Sequence, residues 1–228
     1  MNVPTSAPII KIALKGGPSA GKTTILPRVI FELNNHGYLV VSTPEAATML
    51  IANNIGPWNL GVVGFHEKIA HMQLAQETFF LSAAKALQHK YPERRKKICV
   101  ILCDRGFLDI AAYLPPRYAS KLLRGILKRV GMTVEQALAN YAAAIHVVTA
   151  ALGAEESYTL GNNPTRMEDI NQAREIDARI IEAWSGHPDH PIIGNVNPSG
   201  QKISFEKKTE LVISEVFRIV RKAEGVIA

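Results

Sequence analysis

Apolar residues in this chain come in short unbroken runs separated by longer stretches of mixed character. Five runs stand out: Ile9–Leu14, Tyr38–Ser42, Ile98–Cys103, Ala144–Val148 and Pro191–Gly194. None alternates apolar with polar positions. A strand covered on both faces has no wet face to mark, so such runs predict buried parallel strands. Helical stretches separate them, over about 23–35, 66–90, 117–143, 165–185 and 203–224. Alternating strand and helix predicts an α/β fold with a parallel sheet and right-handed crossovers. Ligands of such sheets bind beyond the carboxyl ends of the strands. Two segments break the rhythm. Segment 52–65 is rich in Gly, Asn and Pro and reads as a mobile loop, and segment 151–167 reads as a second. Loops of that length in a compact domain are usually functional or disordered.

The turn after the first strand carries the most specific signal. Gly16-Gly17-Pro18-Ser19-Ala20-Gly21-Lys22-Thr23 satisfies the phosphate-loop pattern G-x-x-x-x-G-K-[ST] between a predicted strand and a predicted helix. Glycines there admit φ > 0 and keep Cβ atoms away from a phosphate. Successive N–H groups can then form an anion nest at a helix N-terminus. Lys22 would reach the β/γ-phosphates and Thr23 would ligate Mg²⁺. Gly16 through Thr24 are the candidate nucleotide-binding residues. The chain shows no internal repeat or linker, so 1–228 is expected to form a single nucleotide-binding domain with a lid-like segment around 151–180.

Other candidates follow the later strands. Glu45, in Pro44-Glu45-Ala46, could serve as general base on an acceptor hydroxyl, or could favour a helix dipole in a first turn. Asp104 follows an apolar run, as a Mg²⁺-holding carboxylate does; the alternative is an N-cap for a helix starting at Phe107. Arg105 beside it could grip a phosphoryl group. Gln73 and Glu77 share one helical face, as a ligand-reading pair or a surface hydrogen-bonded pair. Arg166 and Arg174 suit a lid closing on the transferred group, with helix salt bridges as the competing role. His187 and His190 fit a loop before the last strand better than a metal site. Asn195 to Asn197 lie past that strand, where an adenine ring would sit, and Asn197 is the candidate there.

Composition narrows the class. The chain has 228 residues, 47% hydrophobic and 20% charged, which suits a packed domain and not a disordered one. No apolar run approaches a membrane span, and Met1–Ser6 lacks a basic region, so neither a membrane helix nor a signal peptide is expected. The cysteines, Cys99 and Cys103, lie on one strand, roughly 13 Å apart at the usual rise, too far for a disulfide. They read as buried free thiols in a cytoplasmic protein. The net charge of +6 suits a polyanionic nucleotide. The basic run Arg94-Arg95-Lys96-Lys97 has no interleaved aromatics and reads as a solvated turn, so nucleic acid is not an expected partner.

Taken together, Gly16–Thr24, Pro44-Glu45-Ala46-Ala47, Cys103-Asp104-Arg105-Gly106 and Asp109-x-x-x-Tyr113 resemble the AAA-type ATPase domain. The branch is the one shared by NadR-like nicotinamide riboside kinases and the TRPL translocation defect protein. Distal stretches are similar too: Thr149-Ala150-Ala151-x-Gly153-Ala154-Glu155, Asn163-x-x-Arg166-x-Glu168 and Ala183-Trp184-x-Gly186-His187. The resemblance implies a P-loop, kinase-like three-layer α/β/α fold with a five-stranded parallel sheet in the order 2-3-1-4-5, binding ATP or GTP with Mg²⁺. The expected activity is transfer of a γ-phosphoryl group to a small nucleoside-like acceptor. Lys22, Glu45, Asp104, Arg105, Arg166 and Arg174 would be the catalytic set, with Thr23 and Asp104 toward the metal. The alternative is a nucleotide switch that hydrolyses ATP or GTP and signals to a protein partner. A homodimer is left open.

Overall fold

The computed structural model of the protein describes residues 7–91, 97–158 and 168–225. Strands β1 (Ile9–Lys15), β2 (Leu39–Thr43), β3 (Cys99–Asp104), β4 (Ala143–Val147) and β5 (Ile192–Ile193) form one parallel sheet in the order β2-β3-β1-β4-β5. Ile9 pairs with Cys99 on one side of β1, and Ile12 pairs with Ala143 on the other. The central strand β1 therefore ends between the ends of β3 and β4. The phosphate loop emerges there.

Side-chain alternation sorts each apolar run onto two faces. Ile12, Leu14, Val100, Leu102, Ile145 and Val147 pack on one face, beneath α1 (Lys22–Asn35) and α8 (Phe205–Ala223). Ala13, Cys99, Ile101, Cys103 and Ala144 pack on the other. That second face is covered by α2 (Ala46–Ala52), α3 (Pro57–Lys90), α4 (Ile110–Tyr113), α5 (Ala119–Arg129), α6 (Val134–Ala139) and α7 (Ile170–Ala183). Two cores on one sheet explain the unbroken apolar runs. Each fully buried Ile or Leu contributes about 1.5–3 kcal/mol. Cys99 and Cys103 are free and buried on β3; burial pushes the Cys99 thiol up to about 11 and the Cys103 thiol further up. Neither is a thiolate near neutral pH.

Three elements depart from the pattern. Segment 52–65 is helical for most of its length, because α3 begins at Pro57 rather than near 66. Proline suits the first helical turn, and the Asn59 side chain accepts from the Gly56 N–H at 3.0 Å. What broke the periodicity is a kink at Gly61, where φ is 66° and ψ is 163°, a backbone region open essentially to glycine alone. The single helix expected over 117–143 is two helices. α5 stops before Gly131, whose φ is 77°, and Thr133 then caps α6 with Gln136 in a capping box. The third departure is β5, which has only two residues. Among the described residues no helix is long and apolar enough to cross a membrane.

Gly106 shows how closely β3 is followed by packing. A Cβ there would stand 2.4 Å from the Trp184 ring. Trp184 is itself fully buried and donates to Asp109 Oδ1 at 2.7 Å, so it cannot retreat. Gly106→Ala should lower unfolding stability by about 1–3 kcal/mol, the usual cost of overpacking. Urea denaturation checks this, and a variant as stable as the parent would show that the ring can shift.

Candidate functional site

The phosphate loop is shaped by close approach as well as by torsion. Gly16 has φ 153°, and a Cβ on it would lie 2.1 Å from the Val147 carbonyl oxygen. Ser19 and Gly21 also take positive φ, at 57° and 89°. Neighbouring elements brace the loop from behind. The Thr149 hydroxyl donates to the Pro18 carbonyl, and the Ala150 N–H donates to Ser19 O at 3.2 Å. Asp177 Oδ1, on α7, accepts from the Gly17 N–H at 2.7 Å and from the Thr149 N–H at 3.1 Å. The Gly17 amide is thus already committed. No side chain caps α1 at Gly21; the Thr24 and Ile25 amides donate to the Gly21 carbonyl, each at 3.0 Å, which leaves those of Lys22 and Thr23 to meet an anion.

A buried polar cluster lies under the loop. Lys15, the last residue of β1, has no solvent exposure; its Nζ sits 2.7 Å from His190 Nε2, 3.2 Å from His146 Nδ1 and 5.5 Å from the centre of the Trp184 ring. His146 Nε2 lies 3.1 Å from Asp177 Oδ2. A chain of polar contacts therefore runs from His190 to the Gly17 amide.

Four ionisable groups converge at the loop's mouth. Lys22 Nζ donates back to the Gly16 carbonyl at 3.2 Å, and burial lowers its pKa. Asp104 ends β3, and its Oδ1 is buried without a hydrogen-bond partner. Burial raises the pKa of its carboxyl. It caps nothing: the N-cap of the following 3-10 turn, Phe107–Asp109, is Gly106. Arg105 has φ 79°, uncommon for a residue with a side chain and costly when held. Its guanidinium reaches Glu45 through Nε, the Gly16 carbonyl at 3.2 Å and Asp109 Oδ2 at 3.5 Å. Glu45 stands at the N-cap position of α2, yet its carboxylate takes Arg105 and the Thr48 hydroxyl at 2.7 Å instead of helix amides. Burial alone would raise the Glu45 pKa; Arg105 and Lys22 overcome that and bring it down to about 2.

These groups line a cavity of about 1440 Å³. Its lining divides by element: one half is Gly17–Thr24 with Asn195, Ser204, Phe205 and Lys208, of which Phe205 packs on Gly21 and Lys208 reaches the Ala20 carbonyl. The other half, largely apolar, is Trp58, Val62, Phe65 and Ile69 of α3 and Tyr113 of α4, with His66 and Gln73 among them. Asp104, with its orphan oxygen, and Thr23, with its hydroxyl, line the same cavity, a donor set that suits a hard cation such as Mg²⁺. Among the described residues no group of three or more His, Cys, Asp or Glu could hold a metal by itself.

Several expected residues fall elsewhere. Arg174 does not line the cavity; it donates to the Ala151 carbonyl at 2.6 Å and to Glu155 at 3.2 Å, tying α7 to segment 151–158. Its ion pair is with Glu155, outside the helix that carries it, and not with a helix neighbour. Arg166 lies outside the described residues. Asn197 is also away from the cavity: its Oδ1 accepts from the Ser199 and Gln201 amides and shapes a turn. Asn195, two residues earlier, lines the cavity instead. Gln73 and Glu77 are bonded to each other at 3.1 Å but buried, so they are not a surface pair. His187 and His190 belong to the loop before β5, with His187 Nε2 3.0 Å from the Tyr141 carbonyl.

Other residues of the site had no motif to announce them. Lys208 is buried on α8, and its Nζ reaches Val148 O at 2.6 Å, Asn195 Oδ1 at 2.7 Å and Ala20 O at 3.4 Å. Burial lowers its pKa to about 8. The signal was present in the spacing: Lys208, Val212 and Val216 fall at i, i+4 and i+8, so a lysine occupies the buried stripe of a helix. Phe205 packs so close to Gly21 that a Cβ there would be 2.4 Å from its ring.

A family model described as an AAA domain matches residues 11–197, more than half of the chain. The match spans the phosphate loop and the carboxyl ends of all five strands, which makes this a nucleotide-binding P-loop protein. No curated protein matches the chain.

Two stability measurements test the electrostatics. Because burial raises the Asp104 pKa, the folded chain holds this proton more tightly than the unfolded one, and the ionised group works against folding at neutral pH. Asp104→Asn should leave the melting temperature unchanged or higher; a drop of several degrees would reveal a structural role. Burial lowers Lys15 to about 7, although Asp109 and Asp177 pull the other way. Between that value and the ordinary 10.5 the unfolded chain binds more protons, so Lys15 makes stability rise with pH across this window. Lys15→Met should flatten the rise seen between melts at pH 7 and pH 9. Equal pH dependence in both proteins would refute the assignment.

Proposed function

We propose that this protein, which belongs to the AAA domain family, is an ATP-dependent kinase that transfers the γ-phosphoryl group to a hydroxyl of a small nucleoside-like acceptor. One observation carries the reading. The cavity, at about 1440 Å³, exceeds the roughly 300–1,000 Å³ of an ordinary single-ligand site, and Arg105, paired with Glu45, touches both parts of its lining: the Gly16 carbonyl of the loop at 3.2 Å, and the Tyr113 ring at 5.6 Å with Gln73 Nε2 3.5 Å from the Arg105 carbonyl. That is where a hydroxyl from one side would meet a phosphate from the other. The resemblance to the nicotinamide riboside kinase branch supports the same class of acceptor.

In this reading Lys22 and the amides of the loop cradle the phosphates, and Phe205, Asn195 and Lys208 flank the nucleotide half. Thr23 and Asp104 would hold Mg²⁺, which neutralises phosphate charge when bound. Glu45 takes the proton of the acceptor hydroxyl while that oxygen bonds to the γ-phosphorus. The bond from the γ-phosphorus to the bridging oxygen breaks, and ADP leaves. A carboxylate paired with Arg105 is a weak base. Arg105 can serve Glu45 or an arriving phosphate, and its transfer to the phosphate raises the basicity of Glu45 at the moment a proton must move. Segment 151–158, tethered by Arg174, is the base of the proposed lid.

A second reading, a nucleotide switch acting on a protein partner, draws support from the exposed apolar residues Trp58, Leu60 and Val62 around the Gly61 kink. Acceptor-stimulated ADP release separates the two. A hydroxyl acceptor should stimulate turnover in the wild type, and Glu45→Gln should lose about 10²–10⁴-fold of that stimulation while keeping its ATP affinity. Lys22→Ala should weaken ATP binding in calorimetry. No stimulation by any acceptor, with equal slow hydrolysis in wild type and Glu45→Gln, would falsify the kinase and favour the switch.

A further inference from the structure

We infer that the apolar half of the cavity is a site for a flat, uncharged heterocycle that donates an N–H hydrogen bond to Gln73 Oε1. The inference rests on the reading of that half as the acceptor's place and names the chemistry it selects.

Glu77 is buried on α3 and its carboxylate is surrounded by donors. Oε2 accepts from Lys11 Nζ at 2.8 Å and Asn140 Nδ2 at 2.7 Å. Oε1 accepts from the Tyr141 hydroxyl at 2.6 Å and from Gln73 Nε2 at 3.1 Å. The Tyr141 proton is thereby committed to Glu77, so its oxygen accepts the second N–H of Gln73 at 3.0 Å. An ionised carboxylate has nothing to donate and a hydroxyl has one proton. Both contacts therefore demand the amide nitrogen of Gln73, and the orientation of the amide follows from chemistry. A third acceptor, the Arg105 carbonyl at 3.5 Å, faces the same nitrogen, so both of its protons are consumed on the inner side. The atom left to the cavity is the carbonyl oxygen, a pure acceptor.

His66 adds a second acceptor. Its Nδ1 lies 2.8 Å from the Val62 carbonyl, so Nδ1 carries the proton and Nε2 has a lone pair to offer. Burial, helped by Arg105, keeps the ring neutral by lowering its pKa. His66 stacks on Tyr113 at 5.7 Å with 23° between planes, and Phe65 meets His66 edge-on at 5.4 Å. Aromatic walls of this kind favour a flat ring. The wall so formed offers lone pairs from Gln73 and His66, and the charge nearest to it, Arg105, is paired with Glu45 and Asp109. A ring that presents an anionic or accepting edge to Gln73 meets its lone pairs head-on. A lactam, amide or amino heterocycle satisfies it.

Calorimetry with matched nucleosides tests this. The probes are uridine against N3-methyluridine, cytidine against N4,N4-dimethylcytidine, and adenosine against N6,N6-dimethyladenosine, each with wild type and Gln73→Leu. At least one parent should bind the wild type, and its methylated partner should bind at least about tenfold more weakly, since a buried acceptor left unpaired is costly. In Gln73→Leu, with folding verified by unchanged ATP binding, the difference should shrink to less than about threefold. Equal affinity within every pair in the wild type overturns the inference without needing the variant. So does a discrimination that persists in Gln73→Leu, which would be steric, and so does a lack of binding by all six probes while ATP still binds. Parallel ADP release keeps the two proposals apart. Discrimination without phosphoryl transfer sinks the kinase and leaves this inference standing; transfer to nucleosides that ignores N-methylation does the reverse.

Discussion

A carboxylate taken wholly out of water must be met by hydrogen bonds or neutralised. Asp177 meets that demand with backbone amides of the phosphate loop and of the residue after β4, Gly17 and Thr149, while His146 stands at its other oxygen. Although burial alone would raise its pKa, these partners hold it below the usual carboxylate range. One side chain thus joins β1, β4 and α7 at the point where the anion nest must form. The arrangement leaves little slack: a Cβ on Gly17 would come within 2.7 Å of the same Asp177 oxygen. Lys15, His146 and His190 extend the polar contact beneath the loop in a setting otherwise built of apolar side chains.

The second constraint runs across the strand ends on the other side of β1. Arg105 gathers Glu45 from the end of β2, Gly16 from the loop and Asp109 from its own turn. Asp109 in turn anchors Trp184 at the end of α7. The positive φ of Arg105 is offset by this set of contacts. Asp104, next to it, keeps an oxygen without a partner. An unsatisfied buried oxygen is a cost to the fold, and a cost of that kind is expected where a ligand supplies the missing contact.

Legibility in the sequence varied with the range of the interaction. The phosphate loop was readable because its glycines and lysine are consecutive. The strands were readable because double-sided burial leaves an unbroken apolar run, and the observed order β2-β3-β1-β4-β5 is the one that the family resemblance implied. Residues 57–65 were misread because Pro57 and Gly61 look like loop residues, whereas one opens a helix and the other kinks it. Gly131 likewise divided a helix whose apolar pattern ran on through it. Asn197 and Asn195 cannot be told apart by composition; a turn closed by Gln201 turned one of them away from the cavity.

What the sequence by itself determined is therefore local: which segments are strands, where the backbone takes positive φ, and which residues end a strand that must point at the site. Only the tertiary structure decided the partners. Gly17 and Asp177 are 160 positions apart, Lys22 shares its cavity with Lys208 from the last helix, and Lys11 meets Glu77 from 66 positions away. The physical reason is that torsion and hydrophobic period act between neighbours in the chain. The charge and hydrogen-bond state of a buried group depends instead on whichever strand end or helix the parallel crossovers bring beside it.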